Sequence, residues 1–313
     1  MFTSAVVLQE PHEIAVRDVA LTPAGEADIV VDVDWSGIST GTEKLFWNGT
    51  MPPFPGMGYP LVPGYESVGR VAQAGPTSGY RTGETVFVPG ATCYRDARGL
   101  FGATAQTVIL PGARAIRVPD ALGADAVLLS LAATAHHALV LPDTPAPDLV
   151  VGFGGLGRLI ARIAIALDLP APTVWEKAAD RRADPGSVTA IDAEDDPRRD
   201  YAAILDASGD GRLLDTLISR LAPRGTVTLA GFYAEPLGFA FPPAFMREAR
   251  IHIAAEFTPA DLSAVTGLID SGRLSLAGLI SHRAPARDAC DAYATAFGDP
   301  RCTKMVLDWR RNG

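Results

Sequence analysis

The apolar positions of this chain follow two different patterns along its 313 residues. Up to about Pro119 they form short runs, such as residues 29–35 and 85–88, which glycine and proline separate. Short runs bounded by turn residues predict β-strands. From Ala121 onwards, longer helical segments alternate with buried-strand runs. Such alternation predicts an α/β region with a doubly wound parallel sheet.

The most informative segment is an apolar run that ends in a glycine turn and is followed by a helical segment. Gly152 can make the tight turn, Gly154 lets the backbone approach a pyrophosphate, and Gly157 lets the helix pack on the strand. Glu176 ends the next apolar run, 19 residues beyond Gly157. An acid at about this spacing accepts hydrogen bonds from a ribose hydroxyl, so the segment predicts an NAD site. The alternative is a glycine turn that only links strand and helix.

The residues that we expect to contact the cofactor share the glycine turn or the ends of neighbouring elements. They are Gly152, Gly154, Gly155, Leu156, Gly157, Thr134, Glu176, Arg181, Asp206 and Gly231.

Composition and charge exclude several classes of protein. With 48% hydrophobic and 20% charged residues, the chain can bury a core. Its net charge of −9, without a long basic run, argues against nucleic-acid binding. The three cysteines are scattered, which suits a reducing compartment. We see no signal-peptide pattern and no run of about 18 apolar residues. We therefore expect a cytoplasmic protein, and the composition is compatible with transient contact with a membrane surface.

The order of the segments resembles the medium-chain dehydrogenase/reductase family. The resemblance is carried by Gly37-Ile38, by Pro63-Gly-Tyr-Glu66, by the glycine turn and by Asp206-Ala-Ser-Gly209. It implies a GroES-like β-rich catalytic domain of residues 1–119, completed by 280–313, and a Rossmann domain of residues 120–279. It also implies a homodimer through the cofactor domains, where residues 250–255 have the pattern of an edge strand.

Two adjacent segments, residues 35–43 and 51–69, resemble a narrower branch of this family. That branch oxidises the 3-(1-hydroxyethyl) group of a bacteriochlorophyllide to 3-acetyl with NAD, so the resemblance implies a tetrapyrrole substrate. The loop between Lys44 and Pro63 is rich in aromatic residues, methionine and proline. Such a loop suits a large planar ligand, or else it covers the core of its own domain. The candidate substrate contacts are Trp35, Phe46, Trp47, Phe54, Met57 and Tyr59.

The residues that bind zinc in the metal-dependent members of the family are replaced here. Those members have cysteine after Gly-Ile and histidine between glycine and glutamate, whereas this chain has Ser39 and Tyr65. Zinc prefers thiolate, imidazole and carboxylate ligands. We therefore expect a site without catalytic zinc, in which side chains hold the alcohol oxygen and take its proton.

The side chains that could hold the oxygen or take the proton are Tyr65, Ser39, Thr40, Glu66 and His137. Each has a structural alternative. A phenol can be packed with its hydroxyl bonded to backbone, hydroxyls are common in turns, a buried glutamate can form an internal ion pair, and a histidine can cap or fill a core.

Two other functions fit the same sequence. One is a zinc-free quinone or enoyl reductase that uses NADPH, and the other is a nicotinamide-binding redox sensor without turnover. Glu176 argues against NADPH because it would repel a 2′-phosphate, although Arg181 and Arg182 follow closely.

Overall fold

The computed structural model describes residues 1–184 and 186–310, which form two compact units. One unit contains Met1–Ser130 and the tail that begins at Ala277, and the other contains Leu131–Leu276. The strands, in chain order, are β1 (Phe2–Glu10), β2 (Glu13–Ala20), β3 (Asp28–Ile38), β4 (Leu61–Val62), β5 (Ser67–Ala74), β6 (Thr85–Val88), β7 (Arg98–Gly99), β8 (Thr107–Pro111), β9 (Ile116–Arg117), β10 (Leu149–Val151), β11 (Thr173–Trp175), β12 (Thr189–Ile191), β13 (Tyr201–Asp206), β14 (Leu221–Leu229), β15 (Arg250–Ile253), β16 (His282–Pro285) and β17 (Met305–Asp308).

The α-helices lie mainly in the second unit. They are α1 (Thr42–Asn48), α2 (Leu129–Leu139), α3 (Gly155–Ala166), α4 (Ala179–Arg182), α5 (Leu214–Arg220), α6 (Phe241–Arg247), α7 (Pro259–Asp270) and α8 (Ala289–Gly298). Short 3-10 segments cover Gly112–Arg114, Asp120–Leu128, Gly211–Leu213 and Ala286–Asp288.

The first unit is built around the long strand β3. On one side β3 pairs with β5, and on the other side it pairs with β8 along its first half and with β17 along its second half, all antiparallel. Buried valines alternate with the exposed Asp32 along part of the strand, as expected for a sheet with one face in the core. The C-terminal strand β17 therefore extends the sheet of the β-rich unit.

The second unit contains a six-stranded sheet in the order β12-β11-β10-β13-β14-β15, and every pairing is parallel. Its strands are mostly buried; in β10, for example, all three residues are buried, as in a sheet covered on both faces. Strand order reverses between β10 and β13, where open parallel sheets bind their ligands. The predicted α/β class, with a GroES-like β unit and a Rossmann sheet, is confirmed.

The division between the units falls 11 residues later than the sequence pattern placed it. The pattern put the boundary after residue 119, whereas the contacts put it after Ser130, and the tail returns at Ala277 rather than at residue 280. The physical reason is that the segment Asp120–Leu128 packs on β3 and β5 of the first unit. Its helical composition had grouped it with the helices of the second unit.

One helical run, Asp120–Leu139, is long and apolar enough to cross a membrane by length and composition, the only such run in the described residues. Of its most apolar window, 67% is buried inside the protein. Burial of this kind is typical of a core helix rather than of a span.

Candidate active site

Two hydroxyl groups meet where β3 ends and β5 begins. Ser36 of β3 is opposite Ser67 of β5, so the residues just beyond these strand ends are neighbours. The Ser39 Oγ and the Tyr65 hydroxyl lie 2.7 Å apart. The structure thus brings together two of the five predicted catalytic residues.

A second hydroxyl beside Tyr65 comes from a residue that the sequence analysis did not select. Thr42 Oγ1 lies 3.3 Å from the Tyr65 hydroxyl, whereas Thr40 is exposed and has no hydrogen bond to it. Thr42 is the first residue of α1. Its position three residues after Ser39 was the only feature of the sequence that could have indicated its place beside Tyr65.

Tyr65 is held as a neutral phenol. Burial raises its pKa well above the ordinary value and the nearby Glu66 adds to this, while the hydrogen bonds from Ser39 and Thr42 oppose it. Its ring packs edge-on against Phe101, with centroids 5.3 Å apart. Tyr65 can therefore hold a substrate oxygen by hydrogen bonding, but it is a poor proton acceptor at neutral pH.

Glu66 forms an internal ion pair. Its Oε2 accepts from the Lys304 ammonium, which also donates to the carbonyl of Ile38 at 3.2 Å. Glu66 and Lys304 are both almost completely buried. This arrangement favours the structural alternative for Glu66, because the Lys304 ammonium compensates its negative charge.

Glu43 is a second buried acid beside the hydroxyl pair, and sequence reasoning missed it. One carboxylate oxygen accepts from the backbone N–H of Ser39 at 3.1 Å, and the other accepts from the Tyr293 hydroxyl. Burial raises the pKa of Glu43 to about 7. The only sequence signal was an acid in the first turn of a short helix, which is normally read as an exposed residue that favours the helix N-terminus.

His137 belongs to a polar network of the second unit. His136 and His137 each place Nδ1 within 3.0 Å of the Asp261 carboxylate. Asp261 also accepts from the N–H and the hydroxyl of Thr258, as part of the capping box that begins α7. The contacts of His137 are thus those of a structural histidine, and we do not carry it into the catalytic set.

The donor groups at the hydroxyl site do not fit zinc. The described residues contain no group of three or more histidine, cysteine, aspartate or glutamate side chains that could hold a metal ion. Ser39 and Tyr65 offer neutral hydroxyls, and the one carboxylate of this motif, Glu66, is bound to the Lys304 ammonium. Neutral hydroxyls and a neutralised carboxylate are weak ligands for this metal.

The glycine turn fits a dinucleotide. Gly152 has a φ of +89°, which favours glycine. A side chain at Gly157 would place its Cβ 1.8 Å from the carbonyl oxygen of Gly152, so only glycine is accommodated there. Gly154 precedes α3 as the N-cap without a side-chain cap, and Gly155 and Leu156 begin the helix with their N–H groups unpaired within it.

Glu176 follows β11 and faces the glycine turn. Its carboxylate accepts from the backbone N–H groups of Phe153 at 3.0 Å and of Ala178 at 2.9 Å. Arg181 lies 3.6 Å from the same carboxylate, and Arg182 is paired with Asp192 at 3.0 Å. Both arginines that could have served a 2′-phosphate therefore have acidic partners.

Two other predicted cofactor residues, Asp206 and Gly231, lie at or beyond strand ends of the same unit, and Thr134 lies on a helix of that unit. Asp206 ends β13 and is buried, accepting from the Ser208 N–H and the Tyr233 hydroxyl, while burial raises its pKa. The N–H of Gly231 donates to the carbonyl of Asp206. Thr134 is half-buried on α2.

The predicted substrate loop mostly covers a small core of its own. Phe46 is completely buried, so its selection as a substrate contact is corrected: its ring is packed among Leu8, Leu61 and Leu100. The partly exposed residues packed against this cluster include Trp47, Phe54, Met57 and Tyr59. Trp35 stands apart from the cluster on β3, with the Arg310 guanidinium 4.6 Å above its ring.

Comparison with known proteins agrees with the fold. Residues 25–120 match the alcohol dehydrogenase GroES-like domain. An Escherichia coli oxidoreductase/dehydrogenase of unknown specificity superimposes with a TM-score of 0.85 at 18% identity, over 98% of this chain and 99% of that one. An alcohol dehydrogenase from E. coli complexed with NADH and a dehydrogenase from Sinorhizobium meliloti bound to NADP each give 0.82, at 19% and 18% identity, covering 98% of this chain and 99% of theirs. The fold is that of a medium-chain dehydrogenase/reductase.

Two curated relatives are much more similar. They are the 2-desacetyl-2-hydroxyethyl bacteriochlorophyllide A dehydrogenases of Cereibacter sphaeroides and Rhodobacter capsulatus, each 54% identical over 99% of both chains. The chain therefore belongs to the bacteriochlorophyllide a dehydrogenase group of the medium-chain dehydrogenase/reductase family. It is a dehydrogenase that acts on a CH–OH group, and the narrower resemblance of residues 35–43 and 51–69 is confirmed.

Proposed function

We propose that this enzyme oxidises the 3-(1-hydroxyethyl) group of a bacteriochlorophyllide to 3-acetyl during bacteriochlorophyll a biosynthesis, with NAD and without catalytic zinc. The observation that carries the proposal is the 54% identity, over nearly the whole of both chains, to two dehydrogenases named for this type of substrate. The similarity therefore extends over both the catalytic and the cofactor-binding unit, rather than over one of them alone.

The chemistry requires that hydride leave carbon while the hydroxyl loses its proton. A bound nicotinamide would accept the hydride. Ser39 and Tyr65 would hold the alcohol oxygen, because their hydroxyls lie 2.7 Å apart and each has further hydrogen-bonding capacity. Thr42 would keep the phenol oriented from its other side. The alcohol proton would pass to the Ser39–Tyr65 hydroxyl pair, in which each hydroxyl accepts one proton as it gives up another, and from there to water. In this role Tyr65 acts as a neutral hydrogen-bonding partner of the oxygen rather than as an ionised base.

The choice of NAD is supported by the residues around Glu176. A carboxylate in this position binds the ribose hydroxyls of NAD and repels the 2′-phosphate of NADP. Arg182 is held by Asp192, and Arg181 lies beside Glu176 itself. The shared fold accepts either cofactor in other proteins, so the local charges of this chain carry the proposal.

The macrocycle would lie against the partly exposed aromatic loop. Part of the surface is exposed in four of its side chains, Trp47, Phe54, Met57 and Tyr59. These side chains pack on the buried cluster that contains Phe46. The Tyr59 hydroxyl donates to the carbonyl of Phe46, which ties the loop to α1. A loop held in this way offers a preformed apolar surface to a planar ligand.

A direct assay tests the proposal. The purified protein is incubated with NAD and the 3-(1-hydroxyethyl) bacteriochlorophyllide, and the red shift of the acetyl product is followed together with NADH absorbance. Reduction of a quinone or an enone by NADPH, without alcohol oxidation, would replace the proposal with a reductase. NAD binding without turnover of any alcohol would indicate a redox sensor.

We predict that Glu176→Ala weakens NAD binding far more than NADP binding. Loss of a hydrogen bond to a charged group costs about 1.5–3 kcal/mol, which corresponds to roughly 10-fold to 100-fold in affinity. Titration calorimetry with each cofactor measures the effect. Glu194→Ala, which removes an exposed acid nearby, is the control. Equal affinity of the wild-type protein for both cofactors would contradict the prediction.

We predict that activity does not depend on zinc. After dialysis against a strong chelator, turnover should be unchanged, and elemental analysis should find no stoichiometric zinc, because Ser39 and Tyr65 offer only neutral hydroxyls. One tightly bound zinc per chain, with loss of activity on its removal, would overturn this expectation.

We predict that Tyr65→Phe lowers turnover by about 100-fold, with NAD affinity unchanged. The substitution removes the hydroxyl that faces Ser39 and keeps the ring that packs on Phe101. The matched control is Tyr80→Phe, whose hydroxyl only donates to the carbonyl of Ala115. A loss smaller than about fivefold would assign the oxygen contact to Ser39 alone.

We also predict a homodimer formed through the second unit. Strand β15 lies at the edge of the parallel sheet, and Ile253 on it is 75% exposed. Phe241, Phe245 and Met246 on α6 expose further apolar surface. An open edge beside apolar side chains favours pairing with a second copy. Light scattering should give twice the chain mass, and Ile253→Asp should shift it to the monomer; a wild-type monomer at micromolar concentration would contradict this.

A further inference from the structure

The hydroxyl site is flanked by two buried acids but by only one cation among the described residues. Glu66 takes the Lys304 ammonium, and Glu43, which is 1% exposed, has no ion pair in this part of the chain. Burying a carboxylate without a cation is costly, so its hydrogen bonds must compensate. Neither the fold nor the proposed role of Ser39 and Tyr65 accounts for a buried acid at this position.

Glu43 binds the backbone of Ser39 at two points, its N–H and its carbonyl. Its Oε1 accepts from the Ser39 N–H at 3.1 Å, and its own N–H donates to the Ser39 carbonyl at 3.2 Å. Its Oε2 accepts from the hydroxyl of Tyr293, a completely buried residue of α8. The Ser39 hydroxyl that faces Tyr65 is thus anchored, through one carboxylate, to a helix near the other end of the chain.

We propose that Glu43 is a positioning residue whose ionised carboxylate fixes Ser39 and, through it, the hydroxyl pair that holds the alcohol oxygen. This inference rests on the proposed function and makes turnover depend on the ionisation of Glu43, and therefore on pH. Both carboxylate oxygens act as acceptors, one for an N–H and one for an O–H. A protonated carboxyl must use one oxygen as a donor. The hydrogen bond from the Tyr293 hydroxyl is then reversed or lost, and Glu43 holds the backbone of Ser39 less firmly.

The groups that face Glu43 come from four parts of the unit. They are the Ser39 N–H after β3, the Tyr293 hydroxyl of α8, Tyr65 and Glu66 before β5, and Lys304 before β17. Burial raises the pKa of Glu43 to about 7; Glu66 raises it further, while Tyr293, the Ser39 N–H and Lys304 lower it. The ionised form therefore gains population as pH rises through neutrality, and turnover should rise with it.

The first variant is Glu43→Gln, which keeps the size of the side chain and one acceptor oxygen. We expect turnover to fall by roughly 10-fold to 100-fold, because a loosened Ser39 misplaces the substrate oxygen. The KM for NAD should stay unchanged. The pH profile should also lose the rise in turnover near neutral pH that we attribute to the ionisation of Glu43.

The second variant is Tyr293→Phe, which removes one donor to the ionised carboxylate. Its pH profile should keep the rise but move it to higher pH by about one unit, the size of one such hydrogen bond. Glu13→Gln, at an exposed glutamate of β2, is the control and should leave the profile unchanged.

A second measurement does not require turnover. A buried carboxyl with a raised pKa keeps its proton in the folded state at pH values where the unfolded chain has lost it. The contribution of Glu43 to stability therefore falls as pH rises from its ordinary pKa of 4.5 through about 7, and Glu43→Gln should lack this part of the pH dependence. Thermal unfolding at several pH values measures this difference.

The outcomes separate the two proposals. A lower rate with an unchanged pH profile, and unfolding curves that respond to pH as in the wild type, would make Glu43 a purely structural link and overturn the inference. If the wild-type protein oxidises no bacteriochlorophyllide, the proposed function fails. In that case a difference between the pH dependences of stability of the wild type and of Glu43→Gln still supports the titration of Glu43, and identical pH dependences overturn it.

Discussion

The buried ion pair between Lys304 and Glu66 is the contact on which the catalytic unit depends. Lys304 immediately precedes β17, and Glu66 immediately precedes β5, so the pair joins the C-terminal tail to the turn that carries Tyr65. Lys304 also donates to the carbonyl of Ile38, next to Ser39. Removing one partner of such a pair leaves an uncompensated buried charge and costs about 3–5 kcal/mol. One ammonium therefore holds both strand ends from which the hydroxyl pair projects.

The features that the sequence predicted well are those set by local constraints. The glycine turn was predictable because φ at Gly152 and the close approach at Gly157 each require glycine, whatever the rest of the fold does. The parallel sheet was predictable because buried strands alternate with helices. The hydroxyl pair was predictable only because Ser39 and Tyr65 stand where metal ligands stand in related enzymes, so the family resemblance supplied a contact that spacing alone does not.

The features that the sequence did not predict depend on contacts between distant residues. Glu43 and Tyr293 are 250 residues apart, and nothing local shows that an acid in a short helix is buried against α8. Phe46 looked like a ligand contact because aromatic residues of a loop and of a small core have the same composition. His137 contacts Asp261, which belongs to the capping box of α7 and lies 124 residues further along the chain. The packing of Asp120–Leu128 on β3 and β5 is likewise a contact between segments that are distant along the chain.

The pairing of β17 with β3 has a consequence for biosynthesis. Strand β3 is made early, but half of one edge is covered only when Met305–Asp308 arrives, after the whole of the second unit. Because domains are released from the ribosome in order, the second unit can complete its sheet while the first still has an open strand. The hydroxyl site is therefore completed only with β17, the last strand among the described residues, and a product terminated before it would retain the second unit without the Lys304 that joins the two strand ends.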